Sequence, residues 1–276
     1  MLTATEIDRY ATDGYLPGRP LLTPDETAFF RAGCERCCGP VVQDGARKQS
    51  TNRVKPYLLF PWAAQLVRHP AILDCVADLI GPDIMVFHTT VWLKEPHSET
   101  FVPWHQDATY FGLAPFEHVT AWVALTDSTP DNGCVQIIPA SHTTGQRPHF
   151  DAPDPRAMLS RGQTLAAVPG QDRAIDLVLR AGDVSFHHTL SFHRSGLNRT
   201  AERRIGIGVS YIPTRVRHVG PTRLSATLVR GTDRHGHFDH EPMPLAEDDA
   251  ARQAHADSVA RFWKASESIP AMAMAH

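Results

Sequence analysis

Arg203 to Ile212 reads "RRIGIGVSYI", and its strict alternation sets the fold class. Ile205, Ile207, Val209 and Tyr211 fall on one face, and Gly206, Gly208 and Ser210 on the other. A period of two is that of a β-strand, whose successive side chains point to opposite sides. By the same parity Arg204 shares the small-residue face and Arg203 the aliphatic one. A guanidinium beside glycines has space in front of it, and its fork suits two parallel hydrogen bonds to a carboxylate.

Working outward, "IMVFHTTVWLK", "HVTAWVALT", "GCVQIIP", "AIDLVL" and "DVSFHH" are further short β-type segments from Ile84 onward. Turns such as "PDNG" and "RAGD" separate them, which predicts an all-β sandwich or barrel rather than alternating βαβ units. The run from Thr144 to Asp172, rich in Pro, Gly and Ala, is too long for a plain connection and has the form of a lid or binding loop. Ahead of the β region, Thr3 and Glu6 form a capping box for a helix toward Ala11, and Thr23 with Pro24 opens a second. "HPAILDCVADLIG" is a helix closed by Gly81. Residues 43–58 are polar, lack periodicity and are expected to be a solvated loop. Its Arg47, Lys48, Arg53 and Lys55 are candidates for an anionic substrate only as a lesser alternative. "AEDDAARQAHADSVARFWKA" predicts a C-terminal helix.

A chain of 276 residues lies near the limit of one hydrophobic core, so a single domain over 1–276 is expected: a helical part over about 1–82, the β core over about 83–215, and a C-terminal loop and helix over about 216–276. With 42% hydrophobic and 21% charged residues the composition is that of an ordinary globular protein, and a net charge of −3 gives nucleic acid or an anionic membrane no hold. No apolar run approaches ~18 residues and the polar start is unlike a signal peptide, so a cytoplasmic protein that spans no membrane is expected. Cys34, Cys37, Cys38, Cys75 and Cys134, odd in number, are expected as reduced thiols.

In "WHQDATYFGL", Trp104 to Leu113, His105 and Asp107 stand two residues apart, so in an extended segment they face the same way. They are either two ligands of a metal or a hydrogen-bonded pair. Non-haem Fe(II) oxygenases use two histidines and one carboxylate on one face of the ion. A third ligand is available in "HHTLSFHRSGLNRT", but among His187, His188 and His193 spacing does not choose. An iron site together with a buried carboxylate clamp is what a 2-oxoglutarate-dependent oxygenase requires.

At this point the chain resembles the phytanoyl-CoA dioxygenase (PhyH) family of Fe(II)- and 2-oxoglutarate-dependent oxygenases. The resemblance runs through "EIDRYATDGYL", "WHQDATYFGL", "AWVALTDSTPDNGCVQIIPASH", "AGD" and "FHRSGLNRTAERR". It implies a mainly β, double-stranded β-helix (jelly-roll, cupin-like) core with flanking helices. It further implies His105, Asp107 and His193 as the iron triad, Arg204 as the clamp for the distal carboxylate of 2-oxoglutarate, and Ser195 as its hydroxyl partner, with Gln106 filling the middle of the motif. Trp122 is a candidate wall of the cosubstrate pocket; core packing is the equal alternative. Fe(II), 2-oxoglutarate and O2 are the implied cofactors, and hydroxylation of an unactivated C–H bond with release of succinate and CO2 is the implied reaction. Desaturation or cyclisation by the same chemistry, and a jelly roll that binds metal or ligand without turnover, are the alternatives. The implied partner is a small molecule, with anionic and carrier-bound substrates both open; a monomer or homodimer is expected. The family's usual Gly is Ala140 here, in "PASH", where a local loop difference is expected. "DRHGHFDH", with His235, His237, Asp239 and His240, imitates a second metal site but is expected to be loop or surface. Four lysines beside 23 arginines point to a GC-rich bacterial gene and to specialised metabolism.

Overall fold

The computed structural model describes residues 1–37, 51–160 and 162–267. Its strands in chain order are β1 (Tyr15–Pro20), β2 (Ile84–Lys94), β3 (Val102–His105), β4 (Leu113–Ala114), β5 (Val119–Ala124), β6 (Val135–Ile137), β7 (His149–Asp151), β8 (Gln163–Leu165), β9 (Ile175–Leu177), β10 (Asp183–His188), β11 (His193–Ser195), β12 (Arg204–Pro213), β13 (Arg217–His218), β14 (Ser225–Arg230) and β15 (Asp239–His240). Helices are α1 (Ala4–Asp13), α2 (Pro24–Cys37), α3 (Pro61–Leu66), α4 (Pro70–Ile80), α5 (Ala108–Phe111) and α6 (Asp249–Glu267).

Seven strands form the major sheet in the order β1-β10-β5-β12-β2-β14-β15, and four form the minor sheet in the order β3-β11-β6-β9. The architecture is a jelly roll with flanking helices. β12, the strand with the clearest alternation, lies at the middle of the major sheet between β5 and β2. Its aliphatic face, Ile205, Ile207, Val209 and Tyr211, packs with residues of α1 to α4 such as Tyr10, Phe30, Trp62, Leu66 and Val76. Each such apolar side chain taken from water contributes ~1.5–3 kcal/mol. The opposite face looks into the roll, where Trp122 and Ala124 of β5 meet Val135, Ile137 and Leu177 of the minor sheet.

Three strands of the major sheet, β1, β14 and β15, lie outside the span 83–215 expected for the β core. β1 pairs with β10, and β14 with β2. The capping box is present as expected: Thr3 N donates to Glu6 Oε2 at 2.8 Å, and Glu6 N to Thr3 Oγ1 at 3.3 Å. α4 ends at Gly81 as its sequence predicts. α3 was not expected; it is a six-residue helix that starts on Pro61, too short to show periodicity.

The loop expected over 43–58 falls outside the described residues up to position 50, including Arg47 and Lys48. From Thr51 on, the expectation of a solvated loop is wrong. Arg53 is buried, and Lys55, only 1% exposed, is ion-paired with Glu241 at 2.6 Å because the chain here runs under α6 and β14. The 144–172 run holds the β7–β8 hairpin. Cys37, Cys75 and Cys134 are free thiols and Cys34 is buried; Cys38 lies outside the described residues. No described helix is long and apolar enough to cross a membrane.

Candidate metal centre

His105 ends β3 and His193 begins β11, and the two are directly opposed in register. Their rings lie 4.1 Å apart. The segment is extended only as far as His105; Asp107 already has helical backbone angles (φ −58°, ψ −35°) and caps α5. The two side chains therefore meet through a strand-to-helix turn, not through the extended spacing read from the sequence. Asp107 Oδ1 lies 3.5 Å from His105 Nε2 and 3.7 Å from His193 Nε2. Among the described residues, His105, Asp107 and His193 form the one group of three whose ligand atoms lie within 4.8 Å of one another.

The donor set fits a divalent transition metal. His105 Nδ1 is 2.9 Å from the carbonyl of Pro103, and His193 Nδ1 is 3.0 Å from that of Ser191, so each Nδ1–H donates to backbone and each Nε2 keeps its lone pair for a ligand. Burial, with His105 and His187 close by, holds His193 well below the usual histidine range and thus neutral. Burial opposes ionisation of Asp107, yet its carboxyl stays well below the usual range, because a proton entering the cluster goes to the imidazoles of His193, His105 and His187 before it goes to Asp107. Neutral imidazoles and an ionised carboxylate are the protonation states a metal needs. The other oxygen, Oδ2, accepts from Thr120 Oγ1 at 2.8 Å and lies 3.4 Å from His187 Nε2.

Gln106 turns away from this centre. Its Nε2 donates to the carbonyls of Gly145 and Leu190 at 2.9 and 2.7 Å, and its Oε1 accepts from Arg147 N at 2.7 Å. His149 Nε2 accepts from Gln106 N at 3.1 Å. The middle residue of the motif thus fastens the start of the 144–172 run beside the candidate metal ligands.

The inner face of the major sheet is built in rows. His88, Ser210, Thr120 and His187 lie opposite one another across β2, β12, β5 and β10; the next row is Thr90, Gly208, Trp122 and Ser185; beyond Trp92 and Gly206 come Lys94 and Arg204. Arg204 is 1% exposed, and its Nη1 donates to the Gly133 carbonyl at 3.0 Å. Its Nε has no partner, and no carboxylate pairs with it among the described residues. Burial lowers its pKa to about 10, so it remains a cation at neutral pH. Arg203, in contrast, pairs with Glu95 at 2.8 Å on the half-buried rim. The room expected at the glycines is filled: a Cβ on Gly206 would fall 2.1 Å from Trp122, and one on Gly208 3.3 Å from Trp92. The Arg204 guanidinium lies 5.2 Å from the Trp122 ring.

Ser195 is buried on β11. Lys94, which sequence reasoning passed over, donates Nζ to its carbonyl at 3.4 Å, to that of Thr100 at 3.1 Å and to that of Gly196. Lys94 stands opposite Arg204, so Ser195 and Arg204 are brought to the same end of the roll. The signal available was a lone lysine at the end of a strand on the parity of Thr90 and Trp92. His188, unlike His187, points out of the roll, where its ring lies 6.3 Å from Tyr10. His235, His237 and His240 are on the surface; His240 pairs with Asp233 at 2.9 Å, and no second three-ligand group is found among the described residues.

The model of the phytanoyl-CoA dioxygenase (PhyH) family matches residues 10–206. The peroxisomal phytanoyl-CoA dioxygenase of Rattus norvegicus is 30% identical over 259 residues, spanning 86% of this chain and 74% of that protein. Among solved structures, the non-haem monooxygenase ThoJ in its apo form is 35% identical, with a TM-score of 0.84 over 95% of this chain and 98% of that one. The epimerase SnoN, in complex with Fe3+, alpha-ketoglutarate and nogalamycin RO, is 26% identical, with a TM-score of 0.62 over 78% of this chain and 84% of that one.

Proposed function

The chain belongs to the phytanoyl-CoA dioxygenase (PhyH) family, and from that premise we propose that it is an Fe(II)- and 2-oxoglutarate-dependent dioxygenase that hydroxylates an unactivated C–H bond of a small molecule. The observation that carries this assignment is the pairing of a His105–Asp107–His193 centre with a buried guanidinium, Arg204, that pairs with no carboxylate among the described residues. A dicarboxylate cosubstrate answers both needs. A metal-dependent hydrolase would have no use for Arg204.

His105, Asp107 and His193 hold the Fe(II), and Arg204 with Ser195 receives the distal carboxylate of 2-oxoglutarate; Trp122 walls the cosubstrate. Iron and 2-oxoglutarate supply the activation of O2, with succinate and CO2 as co-products. The protein orients these parts and excludes water. Asp107 supplies the anionic ligand, and the two Nδ1–H bonds to backbone keep both imidazoles aimed at the ion. Hydroxylation is favoured over desaturation or cyclisation because the ThoJ structure, at 35% identity, is described as a monooxygenase. The arginine-rich composition supports a place in bacterial specialised metabolism.

Purified protein loaded anaerobically with Fe(II) is expected to bind 2-oxoglutarate and, on exposure to O2, to form succinate slowly alone and faster with its substrate. Tight zinc, no 2-oxoglutarate binding and no succinate would overturn the assignment.

A further inference from the structure

We propose that His187 is a positioning residue that, together with Thr120, locks Asp107 so that only Oδ1 is presented to the metal. This rests on the reading of His105, Asp107 and His193 as the metal ligands. The two oxygens of Asp107 have separate surroundings: Oδ1 faces the two ligand imidazoles, whereas Oδ2 faces Thr120 Oγ1 at 2.8 Å and His187 Nε2 at 3.4 Å. Thr120 and His187 are directly opposed on β5 and β10, so the lock is mounted on the major sheet while two of the ligands come from the minor sheet. Thr120 already donates to Oδ2, and once His187 Nε2 donates as well the carboxylate would lose its freedom to rotate about Cβ–Cγ. It would then offer the metal Oδ1 alone.

The burial of His187 needs this explanation. It is 2% exposed, its ring centroid lies 4.5 Å from that of His193, and neither ring nitrogen has an aligned hydrogen bond among the described residues. A buried polar atom without a partner costs free energy, and the carboxylate oxygen beside Nε2 is the acceptor in reach. A fourth ligand is a poorer assignment, because His187 is outside the group whose ligand atoms lie within 4.8 Å of one another. A short rotation of the ring or carboxylate on metal loading completes the Nε2–H···Oδ2 bond, with no change in either backbone.

The test is anaerobic Mn(II) and Fe(II) binding by calorimetry, and by the loss of the free Mn(II) electron paramagnetic resonance signal, in wild type, His187→Phe, His187→Gln and Asp107→Ala, with the melting temperature of each apo-protein. Loss of an outer partner of a metal ligand lowers affinity roughly 10–100-fold. His187→Phe is expected to bind at least roughly tenfold more weakly with an unchanged apo melting temperature, and His187→Gln, which keeps an N–H donor of similar reach, to recover most of the loss. Wild-type affinity in His187→Phe, or an equal loss in His187→Gln, would overturn the positioning role. If Asp107→Ala also binds metal like the wild type, the triad itself is wrong and the inference falls with it.

Discussion

Gly206 lies against the indole of Trp122, so close that a Cβ built on the glycine falls 2.1 Å from Cζ2. The same indole carries the Arg204 guanidinium at 5.2 Å. Gly206→Ala must therefore displace a ring that is packed between the two sheets with Tyr15, Val135 and Leu177. Overpacking of this kind costs ~1–3 kcal/mol. If Trp122 walls the cosubstrate, the variant's Kd for 2-oxoglutarate rises by about tenfold while Mn(II) affinity holds. Unchanged 2-oxoglutarate binding would return Trp122 to a packing role.

Arg204 and Arg203 are expected to separate sharply. If Arg204 receives the distal carboxylate of 2-oxoglutarate, Arg204→Ala leaves that group buried without its cation, a loss of ~2–5 kcal/mol that appears as a raised KM for the cosubstrate. Arg203→Ala breaks an ion pair with Glu95 on the half-buried rim and costs at most ~1 kcal/mol of stability, with little effect on KM. Steady-state kinetics of the two variants, side by side, decides between them.

Lys55 and Glu241 form a buried pair in which Glu241 also accepts from Tyr57, Ser225, Thr227 and Ser258. Lys55→Met leaves that carboxylate buried without a cation and is expected to destabilise the fold by ~3–5 kcal/mol. Adding Glu241→Leu is expected to recover much of the loss. Urea denaturation of the single and double variants measures both, and a single variant as stable as the wild type would remove the pair from any structural role.

His88 and His118 are buried, and burial lowers both to about 3 from an ordinary 6.5. A base with a depressed folded pKa stays neutral in the fold while the unfolded chain takes up its proton. Stability is therefore unaffected above pH 6.5 and falls as the pH drops from 6.5 toward 3, by ~2 kcal/mol per histidine at pH 5. Urea midpoints of the apo-protein from pH 8 to 5 are expected to decline, and to decline less in His118→Phe. A flat wild-type profile would contradict the burial of neutral imidazoles.

Ala140 sits in the left-handed region, at φ 59° and ψ 8°. The position costs a residue with a Cβ ~1–2 kcal/mol, partly offset by the greater chain entropy a glycine loses on folding. Ala140→Gly is expected to stabilise the protein by ~0.5–1 kcal/mol, seen as a higher urea midpoint at unchanged slope.

What the sequence determined by itself was local and periodic. The alternation of "RRIGIGVSYI" set Ile205, Ile207, Val209 and Tyr211 on one face and Arg204, Gly206, Gly208 and Ser210 on the other, because parity along a strand needs no knowledge of its neighbours. The capping box at Thr3 and the helix stop at Gly81 were legible for the same reason. The tertiary structure alone decided what depends on strand order and register. His193 rather than His188 meets His105 because β11 pairs with β3, and β10 turns His187 in and His188 out. The glycines beside Arg204 proved to be seats for Trp122 and Trp92, residues of other strands. Lys55 looked solvated because its partner, Glu241, lies 186 residues away. Periodicity reports which face a residue takes; what that face meets is set by segments far off in the chain.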